Sequence, residues 1–142
     1  MRLAIATLVA LFATAASGQE MERTAAPENA SVYIISPAAG ETVTSPVTVK
    51  FGLSGMGVAP AGVEQQNTGH HHLLIDIDDD SMPPLDRPLP ATDQVRHFGG
   101  GQTEVTLDLA AGEHTLQLLL GDHLHLPHQP PVMSERITIT VE

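Results

Sequence analysis

The 142-residue chain has no cysteine and no tryptophan, and only one tyrosine and three phenylalanines. Without cysteine it can form no disulfide, thiolate metal site, thiol nucleophile or lipidated thiol anchor. Basic residues are also scarce. Six lysines and arginines stand against 17 aspartates and glutamates, a formal net charge of −11. That balance argues against nucleic acid and anionic lipid as partners, because both require a basic footprint. Beyond residue 18 there is no sustained helical period and no apolar run long enough to span a membrane. What the chain does have is an ordinary apolar fraction of 42%, twelve glycines, eleven prolines and eight histidines. The apolar content and length suit one small domain.

Residues 1–18 read as a secretory signal peptide. Arg2 supplies the positive start, an apolar run extends from Leu3 to Ala16, and small residues close it at Ala16-Ser17-Gly18. Cleavage is expected near Gly18–Gln19, so a periplasmic or secreted location is expected, with no membrane span after cleavage. Residues 19–30 are polar and aperiodic and read as a flexible lead-in.

The remainder, residues 31–142, alternates with period two in several short stretches separated by Gly/Pro turns. Ser31–Ser36 is a short apolar strand. Val47, Val49, Phe51 and Leu53 share one face of the next. His71, Leu73, Ile75 and Ile77 share a face, with His70, His72, Leu74 and Asp76 opposite. Val105 and Leu107, then His114, Leu116 and Leu118, then Ile137, Ile139 and Val141 repeat the pattern. Six to eight such strands predict an all-β fold, an antiparallel immunoglobulin-like β-sandwich. Its expected core is Val49, Phe51, Leu73, Ile75, Leu107, Leu116, Leu118, Ile137 and Ile139. A loop over residues 78–101, rich in Asp, Pro and Gly, interrupts the pattern; loops of that length are usually functional or mobile.

Several segments, ISPAAGETVTSPVTVKFGLSGM, TGHHHLLID, HFGGGQTEV and GEHTLQLLLGDHLHLPHQPP, together resemble the bacterial exported family called domain of unknown function 4399. The resemblance covers roughly Val32–Val141 and implies a compact exported β-rich domain, without implying an activity. The opening SPAAGETV also resembles the first strand and turn of periplasmic copper-resistance β-sandwich proteins, although the N-terminal histidine those proteins use is missing here.

The histidines carry the functional argument. Two His-x-His pairs occur, His70/His72 and His123/His125. In a strand, residues two apart lie on one face about 6.6 Å apart, close enough for both rings to reach one ion at about 2.0–2.1 Å. His97 and His128 are further candidates, and Met56 and Met133 could add thioethers for Cu(I) where they are not core filler. Four imidazoles suit copper, with zinc the alternative. Asp122 or Asp76 could orient ligand rings. His71, alternating with Leu73 and Ile75, reads as a buried hydrogen-bonded histidine, and His114 as structural. The turn Ala110–Glu113 predicts a hairpin between its flanking strands. That pairing sets Phe98 opposite His125, gathering His97 with the second pair and leaving His114 at the far end.

The leading expectation is a periplasmic metal-binding protein that binds, buffers or delivers copper to a metal-accepting or envelope protein. The alternative is a metal-free binding or assembly module using the 78–101 loop. A zinc or copper metalloenzyme comes third, because no general base or nucleophile motif is visible. The acidic run Asp76–Asp80 lacks the pattern of a calcium loop and reads as a solvated turn.

Overall fold

The computed structural model describes residues 21–142, so the signal-peptide segment 1–18 lies outside the described residues. Among those residues there is no helix. Nine strands follow one another: β1 (Ser31–Ser36), β2 (Thr42–Val43), β3 (Val47–Ser54), β4 (Gly57–Val58), β5 (Thr68–Ile75), β6 (Val95–His97), β7 (Glu104–Leu107), β8 (Gly112–Gly121) and β9 (Ile137–Val141). They form two sheets. One has the order β1-β3-β7; the other runs β2-β9-β8-β5-β4, with β6 also paired to β5. The all-β expectation holds, with three of the nine strands only two or three residues long.

The main core lies between the sheets. Val47, Val49, Phe51 and Leu107 from the first meet Leu73, Ile75, Leu116, Leu118, Leu120, Ile139 and Val141 from the second. These are the inward positions of each alternating strand, so the period-two pattern reports burial directly. Ile137 packs on the rim of this core.

The expected hairpin between β7 and β8 is not formed. β7 pairs antiparallel with β3, Val47 opposite Leu107, while β8 pairs with β5 and β9. The turn between them crosses from one sheet to the other. Side-chain chemistry explains the choice. From Leu116 to Gly121, β8 is buried on both faces, whereas β7 exposes Glu104 and Thr106. A strand apolar on both sides belongs in the middle of a covered sheet, and an alternating one can lie at an edge.

The cover over the second sheet comes from the long connection after β5. Met82, Leu85 and Leu89 from this connection, with Ile77 and Val95, pack on Leu74 and Leu119. The segment expected as a long loop is thus a lid with its own small apolar core. Part of the segment expected as a flexible lead-in is likewise attached. The Ala26 amide donates to the Gln129 carbonyl and the Gln129 amide to the Thr24 carbonyl. Arg23 donates to the Pro127 and His128 carbonyls.

Candidate metal centre

The first half of β5 builds one wall of the site. Its antiparallel register with β8 places His70 opposite Gly121 and His72 opposite Leu119. On its other edge β6 brings His97 opposite His72. Alternation turns His71 toward the main core, where its ring lies 5.1 Å from that of Phe51. His70 and His72 face outward under the lid, both fully buried. Their ring centroids are 4.6 Å apart.

The second wall is the turn after β8. Asp122 organises it. One carboxylate oxygen accepts the amides of Leu124 and Leu126 at 2.9 and 3.0 Å, and the other accepts the Thr24 hydroxyl at 2.7 Å. The His125 amide closes the turn onto the Asp122 carbonyl at 2.9 Å. His125 sits at φ 64°, a left-handed conformation that costs a non-glycine residue about 1–2 kcal/mol. Such strain is retained where the surroundings over-determine it, commonly at functional sites. Here it aims the His125 ring at β5.

The result is a convergence of ring nitrogens. His125 Nδ1 is 2.9 Å from His70 Nε2 and 3.4 Å from His72 Nε2. One nitrogen from each of the three residues lies within 4.8 Å of the other two. Nitrogens bound tetrahedrally to one ion at about 2.05 Å stand about 3.3 Å apart. The two spacings from His125 are therefore within about half an ångström of what a shared ion demands. His97 completes a group of four rings, with its centroid 4.3 Å from His72 and 4.7 Å from His125. Its Nε2 is 2.9 Å from the Pro90 carbonyl. A carbonyl only accepts, so this nitrogen carries a proton. The lid is tied to the cluster a second time by the Leu89 amide, which donates to the His125 carbonyl at 2.9 Å.

Burial favours the neutral form of His70, His72 and His125. Desolvation is the main cause that lowers His70 to about 4 and His72 to about 2, with repulsion from neighbouring imidazoles adding to it. His125 is lowered in the same way, first by burial and then by His97. Neutral imidazole is the form that coordinates a metal. The outer nitrogens, Nδ1 of His70 and of His72, meet no protein acceptor. These rings are held by packing rather than by the carboxylate that commonly backs a metal-binding histidine.

Other candidates lie elsewhere. His123 and His125 occupy a turn, not a strand, so the same-face argument fails for that pair. His123 lines a separate surface cleft with Thr24, Glu64, Gln66 and Thr68. His128 is fully buried, and its Nε2 is 3.2 Å from the Thr68 carbonyl. Met56 packs against the main core. Met133 is partly exposed in a groove beside Tyr33 and Ile137. Asp122 bonds no ring, and Asp76 serves His114 at the far end of β8, at 2.8 Å. His114 also contacts the Ala110 carbonyl. His71 differs from expectation, being buried with neither nitrogen partnered.

Gly121 is a site residue that sequence reasoning missed. A Cβ there would stand 2.5 Å from His72 Cε1 and 3.1 Å from its Nδ1. The available signal was its place as the break between an apolar run and Asp122.

Fold and site together define an all-β two-sheet protein whose imidazole cluster, His70, His72 and His125, could hold a metal ion. The chain belongs to the family described as Domain of unknown function (DUF4399), whose model matches residues 49–142. All four clustered histidines fall within that span. No curated protein and no solved structure matches the chain.

Proposed function

We propose that this protein binds copper through His70 Nε2, His72 Nε2 and His125 Nδ1, with His97 as an adjoining fourth imidazole, and buffers the ion or passes it on in the periplasm. The carrying observation is the convergence of three neutral ring nitrogens at near-coordination spacing. An all-imidazole set suits copper, with zinc as the competing ion. Export rests on the leader-like residues 1–18, and the acidic charge would raise the local cation concentration. His123, His128, Met56 and Met133 are left out of this ligand set.

A metal-free imidazole network is the second reading, favoured by the 2.9 Å contact between His70 and His125, which is an ordinary hydrogen-bond length. Elemental analysis of tagless protein after copper loading separates the two. One equivalent of copper, lost in His72→Ala and His125→Ala but kept in His114→Ala, is the expected result. No bound metal, or equal affinity in all four proteins, would leave the network reading. N-terminal sequencing of periplasmic material tests export, with a start near Gln19 expected.

A further inference from the structure

Charge distinguishes the ions that such a pocket can accept. His70 and His72 are fully shielded from solvent, and beside them lie Leu74 and Leu119 under the lid. The free energy of burying an ion grows with the square of its charge, so a divalent ion costs about four times as much as a monovalent one of similar size. Attraction to a fixed counter-charge grows only with the first power. The ring nitrogens contribute no charge, and no carboxylate backs the outer nitrogens of His70 or His72. Among the described residues one carboxylate is buried. Asp122, 3% exposed, sits at the base of the His125 turn, and its charge acts on both His70 and His125. Three hydrogen bonds, from Thr24, Leu124 and Leu126, hold it.

We infer that the His70/His72/His125 centre selects a soft monovalent ion, Cu(I), over Cu(II) and Zn(II), with the buried Asp122 carboxylate as its single counter-charge. The inference rests on the metal-binding reading above and adds the oxidation state to it. With Cu(I) the buried assembly of neutral imidazoles and one carboxylate is electrically neutral. A divalent ion leaves it with an excess positive charge and must bring an anion in past the half-buried His125. Asp122 is a positioning and charge-balancing residue here, not a ligand.

The test uses purified tagless protein and competing chromophoric chelators. Cu(I) is titrated anaerobically, Cu(II) and Zn(II) in air, and Ag(I) serves as a redox-inert monovalent probe. Cu(I) is expected to bind more tightly than Cu(II). Bound copper should then have a reduction potential above that of aqueous copper, by about 59 mV for each tenfold in that ratio. Asp122→Asn keeps an acceptor for the Leu124 and Leu126 amides and an amide donor for Thr24 Oγ1, but removes the charge. If it weakens Ag(I) by some factor, it should weaken Zn(II) by about the square of that factor. Equal weakening of both ions would overturn the counter-charge role. His97→Asp, which adds a second carboxylate beside His72 and His125, should shift the Ag(I)/Zn(II) preference toward Zn(II) by tenfold or more.

Should Asp122→Asn fail to fold, the wild-type potential and His97→Asp still decide. A potential below that of aqueous copper, with binding still lost in His72→Ala and His125→Ala, would overturn this selectivity and leave the metal-binding reading standing. Failure of every ion to bind would overturn both.

Discussion

Acid should destabilise the metal-free protein well before its carboxylates titrate. His71 and His72 are fully buried, and desolvation lowers them to about 4 and about 2. In the unfolded chain both titrate near 6.5. The folded state therefore binds fewer protons than the unfolded state below pH 6.5. The stability these neutral rings allow is intact above pH 6.5 and is lost as pH falls toward their folded values. Each such group withdraws about 1.4 kcal/mol per pH unit, so at pH 5 each has removed about 2 kcal/mol and the two together about 4. Set against a total stability of about 5–15 kcal/mol for a domain, that loss is large. His70, also fully buried and lowered to about 4, acts in the same sense. His114 opposes it: Asp76 raises its pKa, so its contribution is full below pH 6.5 and fades at higher pH. Urea unfolding in the presence of a chelator, at pH 7.5, 6 and 5, measures the sum. The midpoint should fall with acid at a constant m-value. His71→Leu should remove one titrating group from the slope and, by deleting two unpartnered buried nitrogens, should raise stability at pH 7.5 by about 1–3 kcal/mol. A flat profile between pH 7.5 and 5, or an unchanged slope in His71→Leu, would refute the reasoning.

Three further outcomes are expected. Gly121→Ala should displace the His72 ring, since the new Cβ would lie 2.5 Å from Cε1; coordination tolerates only about 0.2 Å, so metal affinity should drop at least tenfold by chelator competition. Leu118→Ala should cost about 2–5 kcal/mol in urea unfolding, because Leu118 is fully buried in the main core. Thr24→Val removes the hydroxyl donor to Asp122 and should cost about 1–3 kcal/mol while weakening metal binding; unchanged values in both assays would show that Thr24 does not support the His125 turn.

Local pattern was enough to identify the strands and their inward faces. Val49, Phe51, Leu73, Ile75, Leu116 and Leu118 alternate with polar neighbours or stand at the same parity, and all six are core residues. Alternation follows from backbone geometry, and burial on one face follows from the chemistry of the side chains, so neither needs knowledge of distant chain. His70 and His72 were legible as a same-face pair for that reason, and His114 as a structural residue remote from them.

Pairing and turn geometry were decided only in three dimensions. His97 reaches the cluster because β6 pairs with β5, not through the hairpin that its sequence position suggests. His125 enters it and His123 does not because one residue adopts a left-handed backbone in a turn pinned by Asp122 and Thr24. The lid over Leu74 and Leu119 could not be read from a stretch of Asp, Pro and Gly, since its apolar residues are sparse and aperiodic and acquire meaning only against the face they cover. Alternation is a property of each strand alone. Which strands become neighbours depends on the total area that the whole chain can bury, and that balance is struck only in the folded protein.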